Sequence, residues 1–405
     1  MGSALSTFTD FVASTGPSYL TSADQLVNEA VKNSYIMRRF LKGADKSFVI
    51  QGGSSVKDAL ILDEDSTFQQ YQPNDTFTWR NPQVMSTATA NWRFSVDHMS
   101  WTDQEIELNV GTGMTTEALR GIYKRLKREK EQRMWTSMIN GWEDLLWRTP
   151  KNSEMESDSG LYPYSIPAFI NEQTNGLYTV SGESFTTVEG INPTTKTRWV
   201  PQQTAIPSAI TTNAEAIGGD TYTTGATGVS PLIAAFDEMF YKVRFETPPT
   251  KQEYFEDPKL YGQFIACSRR AINLYQQALR MGNDRFYGAS SPSDPSYLNP
   301  MYGGIELTYV AALDTAPLYY TSTNAPVSET TGSTSNRGPR YYWINGQYLT
   351  PVFHTSRYMA KKDPMVHPNQ PFTTVVPVDC WWNLFARSRQ RHGIIYPGAD
   401  ITTYT

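Results

Sequence analysis

The stretch from Thr115 to Trp147 constrains the fold more than any other part of this chain. Thr115 and Thr116 can cap a helix start, and Glu117 falls in the first turn, where a carboxylate meets the positive end of the helix dipole. Pro150 stops the run. About 33 residues at a rise of ~1.5 Å each make a rod of about 50 Å, several times the mean helix length. Leu119, Ile122, Tyr123, Leu126, Met134, Met138, Ile139, Trp142 and Leu145 supply an apolar stripe. The middle, KRLKREKEQR, is almost wholly charged, with Lys127/Glu131 and Glu129/Arg133 spaced for i,i+4 pairing. Such a rod, apolar at both ends and charged between, suits bridging two packed regions; an ordinary amphipathic surface helix is the alternative.

On either side of this helix the pattern changes. Residues 1–45 read as an arm and a short helix with Leu26, Ala30, Val31, Tyr35 and Ile36 on one face. Strand signals follow at Phe48–Ile50, Ala59–Leu62, Trp92–Val96 and Ile106–Val110, with Trp92, Phe94 and Val96 alternating with polar residues. Between Gly52 and Asn91 lies a long polar excursion, and loops of that length are usually functional or binding elements. Downstream, 151–228 is loop- and strand-rich, and its end, from Thr211 to Gly228, is nearly low-complexity. Helices are expected at Pro231–Phe245 and Arg269–Met281, the second closed by Gly282. Strands are expected at Gln263–Cys267, Ile305–Val310, Tyr341–Ile344, Val352–Tyr358, Thr373–Val378, Trp381–Arg387 and Gly393–Tyr396. A polar loop, TSTNAPVSETTGSTSNRGP, separates the second and third of these, and no internal repeat is visible.

Composition excludes several function classes. A length of 405 residues exceeds what one core needs, so two or more lobes are expected. The 24 Tyr and 10 Trp suit buried interfaces or a strand-rich fold, two compatible readings. A formal charge of -5 argues against a dedicated nucleic-acid binder, though not against a protein that encloses nucleic acid without gripping it. Two cysteines make neither a disulfide framework nor a zinc site. The N-terminus lacks a secretory pattern, its match to the myristoylation pattern at Gly2 and Ser6 is put down to chance, and no run reaches the ~18 apolar residues of a membrane span. His98, His354, His367 and His392 show no metal-ligand spacing, and no nucleophile elbow, Walker loop or dinucleotide fingerprint occurs. No catalytic residue, metal or cofactor is therefore expected. The pairs Gly52-Gly53 and Gly303-Gly304 read as turns. Of two basic clusters, Lys124–Arg133 reads as salt-bridging within or between subunits, and Arg387–His392 as an interface or wall-lining stretch.

The order of these elements resembles the major capsid proteins of tailed bacteriophages, with the Hong Kong 97-type fold. The resemblance rests on VIQGGSSVKDALILDED followed by FQQYQPNDTF, on TATANWRFSVDHMSWTDQEIELNVG, on DSGLYPYSIPAFI followed by GINPTTKTRWVPQ, and on YYWINGQYLTPVFH and RSRQRHGIIYP. Their shared order covers nearly the whole chain.

The resemblance implies an α+β fold with an N-terminal arm at 1–45 and an extended loop at 46–95. A peripheral domain follows from 96–154 and 346–405 with its spine helix at 115–147, and an axial domain from 155–345. It implies self-assembly into hexamers and pentamers of an icosahedral head enclosing double-stranded DNA without sequence-specific binding. Other implied partners are a separate scaffolding protein, a portal protein and, as an optional outer partner, a decoration protein. No membrane is involved. The location implied is the virion, assembled in the bacterial host cytoplasm. Phe68, Tyr71, Phe77 and Trp79 on the excursion, and Lys124, Lys127, Arg128 and Arg133 on the helix, are the candidate subunit-interface residues. Lys57 is the only lysine in the excursion, and nothing supports covalent joining through it. An encapsulin-type compartment shell and a β-rich extracellular binding protein are the alternatives.

Overall fold

The computed structural model describes residues 36–37, 40, 49–50, 53–63, 67–73, 75–76, 79, 84–105, 116–180, 183–206, 231–243, 263–282, 300–315, 319–320, 326–327 and 339–397. The arm before Ile36, the strand expected at Ile106–Val110, the low-complexity stretch and most of the polar loop lie outside these residues.

The first of two six-stranded sheets is built around one long strand. It contains β1 (Val49–Ile50), β4 (Arg93–Thr102), β14 (Leu349–His354), β15 (Ala360–Lys361), β16 (Met365–His367) and β17 (Gln370–Ala386). Strand β17 pairs antiparallel with β4 from Thr373↔Thr102 to Trp382↔Arg93, and with β14 from Leu349↔Ala386 to Phe353↔Trp382. The sequence suggests two strands here, Thr373–Val378 and Trp381–Arg387, broken at Asp379-Cys380. The structure runs straight through: Pro377 gives up its own N–H, but its carbonyl still accepts Lys362 N–H at 3.0 Å.

The second sheet runs β7 (Gln202–Ile206), β18 (Gly393–Pro397), β13 (Tyr341–Asn345), β8 (Gln263–Cys267), β10 (Ile305–Tyr309) and β9 (Met301–Tyr302). Gly303 and Gly304, at φ 56° and 84°, close the β9–β10 hairpin in the left-handed conformation that such two-residue turns require. Every strand at the sheet's centre is buried on both sides, and the period of two divides its residues. Ile265, Cys267, Tyr341, Trp343 and Ile395 pack against α4 (Pro231–Tyr241) and α5 (Arg269–Gly282), whereas Phe264, Ala266, Tyr342, Ile344 and Ile394 join the core of the first sheet. Helix α5 buries Ala271, Leu274, Tyr275 and Ala278, the spacing of a single helical face.

The long helix, α1, spans Thr116–Leu146, close to its expected limits. Met134, Met138, Trp142, Leu146 and Trp147 are buried along it. The Trp142 ring lies 5.7 Å from both Phe353 and Trp382 of the first sheet, and Trp147 lies 5.3 Å from Tyr342 of the second. The C-terminal half of the rod therefore touches both sheets within one core, and the side chains of its N-terminal third lie outside the described residues. A fully buried side chain of this size contributes roughly 1.5–3 kcal/mol. Two short helices, α2 (Asn152–Met155) and α3 (Ile166–Phe169), follow and pack into the same core.

Two expected boundaries shift. The resemblance places the C-terminal strands with the spine helix, but β18 pairs with β13 and β7 in the second sheet. Met155 through Trp199, assigned to the axial domain, bury Tyr164, Phe169 and Trp199 in the core of α1 and the first sheet. Neither shift is visible in periodicity, because both depend on which sheet a strand joins.

Candidate assembly surface

The excursion is a hairpin. Strands β2 (Ser55–Ile61) and β3 (Met85–Asn91) pair antiparallel from Ser55↔Asn91 to Ile61↔Met85. At its base Val56, Ala88 and Ala90 are buried against the body. At its far end Ile61 and Met85 are about two-thirds exposed, and beyond them Phe68, Tyr71 and Trp79 are 79%, 68% and 90% exposed. A turn in this region is set by Asp75, whose N–H reaches Gln72 O at 3.0 Å and whose carboxylate accepts Gln72 N–H at 2.6 Å. Three of the four expected aromatic anchors are thus presented to solvent, while Phe77 lies outside the described residues.

On α1, Lys127, Arg128 and Arg133 are exposed, and the side chain of Lys124 lies outside the described residues. The interleaved charges pair within the chain, with partners off the helix. Lys130 Nζ meets Glu105 Oε1 at 3.0 Å, and Lys361 of β15 pairs with Glu131. The Lys361 hydrogen bond, with Lys127 nearby, holds the Glu131 carboxyl below the usual range. The partly exposed Lys361–Glu131 pair contributes about 0–1 kcal/mol, so it orients the helix surface more than it stabilises it, whereas Lys130–Glu105 is mostly buried.

A second surface went unmarked by the sequence reading. Along β4 the apolar residues Phe94 and Val96 point outward, 62% and 73% exposed, while Arg93, Met99 and Trp101 are buried. Phe94 packs edge-on against Trp381 at 4.8 Å, and Arg357 covers that indole at 5.5 Å while pairing with Asp379 at 3.5 Å. The alternation at Trp92–Val96 carries this signal. Phe94 and Val96 thus form a small apolar patch on the solvent side of β4, with His98 exposed beyond them.

The basic run Arg387–His392 is not a wall-lining stretch. Arg387 is exposed and pairs with Asp58 at 3.3 Å, but Arg389, Arg391 and His392 are buried. The Arg389 guanidinium donates to the carbonyls of Phe169 (3.0 Å), Trp199 (2.9 Å), Gly176 (2.7 Å) and Ala168 (3.5 Å). Burial lowers its pKa to about 9 against the pull of Glu189. Burial also drives His392 down to about 3, and its Nδ1 accepts Asn345 N–H at 3.1 Å. Arg93 does similar work at the end of α2 and the turn after it, donating to Met155 O, Ser157 O and Gly160 O at 2.7, 2.7 and 2.5 Å. Five-donor forks suit clusters of carbonyls, which come from segments distant in sequence. Burial raises the carboxyls of Glu143 and Glu156 to about 7 and that of Glu189 well above its ordinary value. These groups cross-link the core. Among the described residues no three His, Cys, Asp or Glu side chains come together as a metal site, and no helix is long and apolar enough to cross a membrane.

No family model matches the chain, and no curated protein matches it. Among solved structures it is similar to the capsid of the cyanophage P-SCSP1u, at 12% identity and a TM-score of 0.45, over 88% of this chain and 86% of that one. It is similar to the holo-SrpI encapsulin of Synechococcus elongatus PCC 7942, at 10% identity and a TM-score of 0.46, over 95% of each. The capsid of a native GTA particle matches at 10% identity and a TM-score of 0.46, over 94% of this chain and 97% of that one.

Proposed function

We propose that this chain is a structural shell subunit, the major capsid protein of a tailed phage, and that it assembles as hexamers and pentamers around double-stranded DNA. The observation that carries the reading is the β2–β3 hairpin, which ends in exposed Phe68, Tyr71 and Trp79. Large aromatic side chains on an element without a core of its own serve as anchors in a partner's pockets. The outward apolar face at Phe94 and Val96 supplies a surface of matching character on the next copy. Closed rings of five and six need two complementary surfaces on each copy, repeated by symmetry, and many modest contacts together make the last one strong. The net charge of -5 suits a wall that encloses DNA without holding it. A separate scaffolding protein and a portal protein are the partners this role entails, an outer decoration protein is an optional one, and the virion is its place.

Sedimentation of the full chain co-expressed with its scaffold tests this. The wild type runs as large homo-oligomers, and Phe68→Ala with Trp79→Ala shifts the material to monomer while the unfolding free energy stays within about 0.5 kcal/mol of wild type, as surface substitutions do. A double variant that assembles like the wild type contradicts the anchoring role.

A further inference from the structure

The hairpin meets the body at a two-residue turn. Val188 and Ile191 exchange backbone hydrogen bonds at 2.9 and 3.1 Å, and the residues between them, Glu189 and Gly190, lie at φ 54° and 74°. Glycine and asparagine favour that left-handed conformation; glutamate does not. Glu189 is nevertheless there, completely buried, and its N–H, carbonyl and Oε1 each hold a different segment, while Oε2 is left without a hydrogen-bond partner among the described residues. Its carbonyl accepts Thr89 N–H of β3 at 2.9 Å, on the edge of β3 away from β2. Its Oε1 accepts Ala386 N–H at the end of β17 at 2.9 Å. Its own N–H donates to Tyr164 Oη at 3.2 Å. Val188 beside it is fixed through Trp199 Nε1, which donates to Val188 O at 3.1 Å.

Two ion pairs act outboard of this turn. Arg387 meets Asp58 on β2, and Lys196 pairs with Asp63, two residues past the end of β2. From there outward the hairpin carries its exposed aromatics. A rigid lever turns a small change at its base into a large displacement at its tip.

Resting on the shell-forming reading above, we propose that the Glu189 turn, with the Lys196–Asp63 pair as its outer stay, is the joint that fixes the direction of the hairpin and thereby the curvature of the shell. Glu189 is a positioning residue: it touches the hairpin's base and acts on the contact through the angle it sets.

Spin labels at Met85→Cys on the hairpin and Ser137→Cys on α1 read the joint directly, since Cys267 and Cys380 are buried. With the native joint the label-to-label distance distribution is narrow. Asp63→Ala with Lys196→Ala broadens it, and Glu189→Gly shifts it. In the assembled material, the same variants widen the spread of particle diameters. The ion-pair variant leaves the buried core intact, so it stands as the test if Glu189→Gly does not fold. Unchanged distances in the ion-pair variant overturn the joint, and changed distances with wild-type particle diameters overturn its link to curvature. A wild-type chain that forms no particles overturns the shell reading instead, and the distances still decide the joint.

Discussion

Glu143 lies inside α1 with both carboxylate oxygens engaged: Oε2 accepts Met37 N–H at 2.8 Å and Oε1 accepts Trp147 Nε1–H at 3.1 Å. It thus ties the segment holding the buried Ile36, Met37 and Phe40 to the long helix. Burial nonetheless outweighs these bonds and lifts the carboxyl from 4.5 to about 7. A folded pKa above the unfolded one means the native chain holds a proton that the unfolded chain has lost. That stability is complete below the unfolded value and is lost as pH rises through about 7. Glu156 and Glu189 share the sign. His392, lowered from 6.5 to about 3, has the opposite one: its contribution grows with pH up to about 6.5 and is then constant. The window from about pH 6.5 to about pH 8 therefore isolates the carboxyls. Across it the urea midpoint of the wild type falls, and Glu143→Gln flattens the fall. An equal slope in the variant would mean that Glu143 is already ionised in the folded chain.

Among the elements, α1 has one face in the core and, in the proposed shell, a second, charged face that meets neighbouring copies. The buried face of α1 is anchored by Trp142 and Trp147, and its exposed Lys127 and Arg128 face solvent beside the Lys361–Glu131 pair. Charge reversal at Lys127 and Arg128 is expected to reduce assembled material severalfold while the monomer's urea midpoint moves little. Measured by sedimentation and by denaturation on the same samples, equal losses in both would reduce this surface to an ordinary structural one.

How far each element could be read from the chain follows from its chemistry. Helix α1 was legible because a first-turn carboxylate, a stopping proline, apolar spacing at both ends and i,i+4 charge pairs in the middle agree. Strand β3 was not, because MSTATAN has no large apolar alternation; Ala88 and Ala90 are buried through close packing of small side chains. The exposure of Phe68, Tyr71 and Trp79 was legible because the polar residues around them could form no core. The burial of Arg389 was not, because the carbonyls that hold it belong to Ala168, Phe169, Gly176 and Trp199, and no local pattern brings these together.

At the scale of the molecule, two six-stranded sheets share one core, and α1 touches both. A body fixed in this way can carry load, and a hairpin and an apolar sheet face leave it in solvent-facing positions. The account's central claim is that these surfaces close copies of this chain into a shell. Electron microscopy of the purified full-length chain, expressed with its scaffold, tests that claim most directly. The account predicts closed, hollow particles of uniform diameter built from this chain. A field of single subunits under the same conditions, with the chain folded by its melting curve, would contradict it.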